Sequence, residues 1–76
     1  MEDLFSTNLA VNNQNVMYRV VFDDDKYVFL SEGDQPRFPS FSFRREHDEW
    51  HDQELLAPEL KKQAIDALDK YLMKQH

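Results

Sequence analysis

The chain has 76 residues, no cysteine, and 15 acidic against 9 basic side chains, for a net charge of -6 at pH 7. That is one domain with no disulfide or thiolate metal site to brace it, so its core rests on six Phe, three Tyr and one Trp. With no basic cluster beyond Arg44 and Arg45, it is a poor candidate for nucleic acid, since binding phosphates needs Lys and Arg gathered on one face.

Met1-Glu2-Asp3 lacks the basic start and apolar run of a signal peptide, and no stretch has transmembrane length. The expectation is a cytoplasmic protein away from membranes. Residues 1–15 read as an N-terminal arm, expected to be flexible, ahead of a single ββββα domain over 16–76. Asn8, Asn12, Asn13, Gln14 and Asn15 make the arm's second half polar and turn-prone, and Leu4, Phe5, Leu9 and Val11 are scattered apolar points.

Val16, Tyr18, Val20 and Phe22 alternate with Met17, Arg19 and Val21, the period of a strand. Asp24-Asp25 makes a turn, and Lys26 to Glu32 returns. Whereas a three-residue loop redistributes the second strand and still leaves both faces apolar, a two- or four-residue loop sets Phe22 opposite Tyr27 and Val20 opposite Phe29. One face then holds Val16, Tyr18, Val20, Phe22, Tyr27 and Phe29. The other holds Met17, Arg19, Val21, Val28 and Leu30. This hairpin is more apolar than a sheet with one wet side requires.

The only glycine and two of the three prolines mark 33–39 as a loop. Its Pro36-Arg37-Phe38-Pro39 has the spacing of a polyproline ligand, but a stiff connection between strands explains it as well. Phe41 and Phe43 begin a third strand. Residues 44–53 read as a hairpin turning at His47-Asp48, with Trp50 returning and Arg45 lying against its ring. A helix there is the rival, with Phe43, His47, Trp50 and Glu54 on one side. Leu55 or Leu56 is expected to plug the sheet's end.

Pro58 suits a first helical position, and Glu59 at the start with Lys70 and Lys74 near the end complements the macrodipole. Leu60, Ala64, Ala67, Leu68, Tyr71 and Leu72 recur at helical spacing. Lys61, Lys62, Asp66, Asp69 and Lys70 fill the other side. A helix with one apolar face docks on one layer, and its mixed-sign polar face does not suit a membrane surface. The expected fold is therefore α+β: a four-stranded antiparallel β-meander with one C-terminal α-helix packed on one face.

Three patterns invite a chemical reading. His47 and His51, four apart, would share a helical face and bind zinc, but the protease pattern needs Glu directly after the first His and this chain has Asp48. On a hairpin that shared face disappears. Asp23-Asp24-Asp25 lacks the spacing of a calcium loop. A mimic of nucleic-acid charge would need its acids in rows on one surface. No nucleophile motif and no phosphate-cradling glycine loop occur.

These readings lead to a small acidic protein-interaction or assembly module, without catalysis or cofactor of its own. Its expected partner is another protein or a second copy. The expected surface is the sheet face away from the helix: Met17, Arg19, Val21, Val28, Leu30 and Arg44. The competing expectation is that the arm covers that face through Leu4, Phe5 and Leu9. Two rival functions are metal binding through His47 and His51, and inhibition by an acidic surface that imitates nucleic acid.

Overall fold

The structure is a computed structural model that describes residues 2–32 and 40–74. It contains β1 (Glu2–Val11), β2 (Gln14–Asp23), β3 (Lys26–Ser31), β4 (Phe41–Glu46), β5 (Glu49–Asp52) and α1 (Pro58–Lys74). The strands form one antiparallel sheet in the order of the chain, β1-β2-β3-β4-β5. The α+β class, the meander and the C-terminal helix match expectation. The strand count does not: four strands become five, because most of the stretch read as an arm is β1. The Pro36–Pro39 motif lies outside the described residues.

Three pairs of neighbouring strands join through two-residue turns, and every turn residue has positive φ: Asn12 51° and Asn13 66°, Asp24 54° and Asp25 61°, His47 53° and Asp48 63°. This is the hairpin turn whose twist matches the strands, made here without glycine. Asn and Asp tolerate it because their short polar side chains bond locally. The turns set the register. Phe22 faces Tyr27, Val20 faces Phe29, and Arg45 faces Trp50. The hairpin reading of 44–53 therefore holds, and the helical alternative does not.

The helix lies on the face carrying Val16, Tyr18, Val20, Phe29, Phe41 and Phe43, and adds Leu60, Ala64 and Leu68 to a single core. Phe29 and Phe41 stack at 4.8 Å between centroids, and Tyr18 and Phe43 close around them. Burial pushes the Tyr18 hydroxyl above its ordinary 10.0. Leu56 packs against this core while Leu55 is fully exposed.

Polar contacts fasten both flanks of α1. Toward β4 and β5, Trp50 Nε1 donates to Asp69 Oδ1 at 2.9 Å, and Arg45 Nη1 lies 3.7 Å from the same oxygen. Arg45 sits over the Trp50 ring, 4.7 Å from its centroid, as its place in the hairpin predicts. Lys61 Nζ meets Asp52 Oδ1 at 3.2 Å. Toward β1, Ala10 N–H donates to Gln63 Oε1 at 2.9 Å and Gln63 Nε2 donates to Ala10 O at 3.1 Å. Phe5 stacks on Tyr71 at 4.8 Å with planes 17° apart.

Candidate interaction surface

The register places Met17, Arg19, Val21, Val28, Leu30 and Arg44 on the sheet face opposite the helix. Among the described residues, no strand or helix lies over that face. The apolar residues of the N-terminal stretch, expected as a possible cover, do not reach it. Leu9 is buried in the helix-side core, and Leu4 and Phe5 pack against that same core. A bulge between Asp3 and Phe5 breaks the alternation. It lets two consecutive apolar residues point the same way.

The six residues differ in exposure. Met17 is 41% exposed, and the Arg19 side chain stands clear with Nε 3.5 Å from Asp3 Oδ1. Val28, Leu30 and Arg44 are half-buried. Val21 is only 1% exposed, although it belongs to the face without the helix. It is therefore a packing residue, and a lysine there would bury a charge. Around these residues stand Ser6, whose Oγ donates to Glu32 Oε1 at 3.4 Å, and Ser42, whose N–H donates to Glu54 Oε1 at 2.9 Å.

Arg44 carries the unusual feature of this face. Its Nε is out of water and has no hydrogen-bond partner among the described residues. An unsatisfied buried donor costs about 1–3 kcal/mol and needs an explanation. Strand parity alone places Arg44 on this face, but parity gives no sign of the orphaned donor.

The two histidines do not form a site. His47 occupies a turn, and His51 lies on β5 opposite Arg44; both are exposed. The helical spacing that would bring them together is absent. Among the described residues no group of three or more metal-ligating side chains converges, and no helix is long and apolar enough to cross a membrane. The acids Glu2, Asp3, Asp23, Asp24, Asp25, Glu46, Asp48 and Glu49 stand at the end of the sheet where β1 starts and two of the turns lie. They crowd one end and do not run in rows across a face. Comparison with models of protein families, with curated proteins and with solved structures finds no match.

Proposed function

We propose that this chain is a small protein-interaction or assembly module, with no catalysis of its own, that binds through the sheet face opposite the helix. The observation that carries the reading is Arg44, whose Nε is desolvated and unbonded at the margin of an apolar surface made by Met17, Val28 and Leu30. A shift of the half-buried Arg44 side chain would bring that donor to a partner carboxylate or carbonyl, and the apolar residues beside it supply the area that drives association. Both signs stand around the patch, with Arg19, Lys26 and Arg44 among Asp3, Asp23, Glu32, Glu46, Glu49 and Glu54. A mixed-sign rim of this kind complements itself across a two-fold axis, which favours a second copy as the occupant.

Sedimentation velocity over a wide concentration range, on wild type and on Met17→Glu, tests this. Met17 is exposed enough for the substitution to spare the fold. The expected result is a concentration-dependent dimer that the variant weakens about tenfold or more. A monomer at every concentration rejects the second copy. A dimer indifferent to Met17→Glu rejects this face.

A further inference from the structure

The sheet has an outer edge that is braced at one point and open beyond it. β1 is the edge strand, and its hairpin with β2 turns at Asn12-Asn13. In such a hairpin Val11 and Gln14 exchange both backbone bonds, and the pattern alternates from there. Leu9, Thr7 and Phe5 thus spend their backbone groups on β2. Ala10, Asn8 and Ser6 point theirs outward. The Gln63 carboxamide supports this assignment, since it takes both the N–H and the C=O of Ala10, as a neighbouring strand would. No residue of the helix does the same for Ser6 or Asn8 among the described residues.

Beside that open length runs a groove of about 390 Å³ between β1 and α1, lined by Phe5, Thr7, Ala67, Lys70, Tyr71 and Lys74. Gln63, Ala67, Lys70 and Lys74 follow one another at helical spacing, so a single stripe of α1 borders the edge. Its floor is the stacked pair Phe5 and Tyr71. Its wall carries Lys70 and Lys74, both exposed and neither in an ion pair among the described residues. In a chain of net charge -6 these two ammonium groups make a local positive site.

We propose that the β1 edge and this groove bind an extended acidic peptide by strand addition. The peptide's backbone pairs with the outward N–H and C=O groups of Ser6 and Asn8. Its side chains opposite Phe5 and Thr7, two residues apart, fall on the helix side and meet Lys70 and Lys74. Backbone bonds supply affinity and alternate side chains supply selectivity, as in other strand-addition sites. A second copy fits poorly here. A two-fold axis along this edge would bring Lys70 and Lys74 of one helix against the same residues of the other, and like charges so placed repel.

The test is to pan a random dodecapeptide library on the full chain, then measure the enriched peptides, made synthetically, against two variants. Lys70→Glu/Lys74→Glu reverses the wall. Asn8→Pro removes an outward N–H that β2 does not use, a place where an edge strand accepts proline. The expected winners carry Asp or Glu two residues apart and shift the amide resonances of Ser6 and Asn8. They bind about tenfold or more weakly to each folded variant. Either variant alone suffices if the other fails to fold. Absence of enrichment, winners without paired acids, or winners whose shifts map to Met17 and Arg44 would each overturn the proposal. So would affinity unchanged by the charge reversal.

Discussion

Asp48 shows how a single residue holds strain that can be relieved. It sits at φ 63° in the turn between β4 and β5, a conformation that costs most side chains energy and glycine none. Asp48→Gly should therefore raise stability by about 0.5 kcal/mol or more, a rise of roughly 2–4 °C in Tm for a domain of this size. Asp48→Asn, which removes the charge but keeps the Cβ, separates backbone relief from relief of crowding among the acids at that end. Equal gains from both would assign the effect to charge. Asp52 makes a second case. Burial works to raise its carboxyl, but the hydrogen bond from Lys61, the backbone bonds from Asp52 and Leu56 and the nearby ammonium outweigh burial, and the pKa falls below its ordinary 3.8. A carboxylate with a lowered folded pKa stabilises above the unfolded value and loses that contribution as pH falls through the folded one. Asp52→Asn should cost about 0.2–1 kcal/mol at pH 7. Denaturant melts repeated down the pH scale should show the deficit closing below that ordinary 3.8. A deficit that persists in acid would mean the loss is packing, not charge.

The elements differ in how plainly they can be read. In β2 and β3 strict alternation and the Asp24-Asp25 turn give face and register together. In α1 the apolar spacing is uninterrupted from Leu60 to Leu72. β1 has neither signal. Its helix-side residues are Phe5, Thr7, Leu9 and Val11, so a threonine interrupts the apolar phase. The bulge then turns Leu4 to the same side as Phe5. A period-of-two search sees scatter where there is a strand of ten residues. The open face was legible from the same alternation, but the burial of Val21 and the bare Nε of Arg44 were not, because both depend on what neighbouring strands bring within reach. The brace at Ala10 is a contact between residues 53 positions apart, and no local pattern announces it. Its loss can be measured: Gln63→Ala should speed amide exchange at Ala10 about tenfold or more while leaving Leu9, bonded to β2, protected. Unchanged exchange at Ala10 would show that the carboxamide does not hold the edge in solution.

At the scale of the whole molecule, 33 × 24 × 22 Å, the two proposed surfaces adjoin, since Ser6 and Asn8 of the rim pair with Arg19 and Met17 of the sheet face. One is the broad side of the sheet, the other its outer rim beneath the helix. The acids at one end lie close to the C-terminal part of α1, where Lys70 and Lys74 stand, so the field around the groove changes sign over a short distance. Salt will weaken capture of an acidic peptide and relieve the crowding of acids in the same titration.

The Gln63 brace also has a consequence in time. A meander in which three of four neighbouring pairs join by two-residue turns can pair largely strand by strand, since most strands meet their neighbour soon after it is made. The rim of β1 cannot be closed so early. Its one braced position, Ala10, waits with its outward groups bare until residue 63 arrives with the helix. A contact between residues 53 positions apart thus protects Ala10, and that part of the edge stays available for pairing until the helix docks.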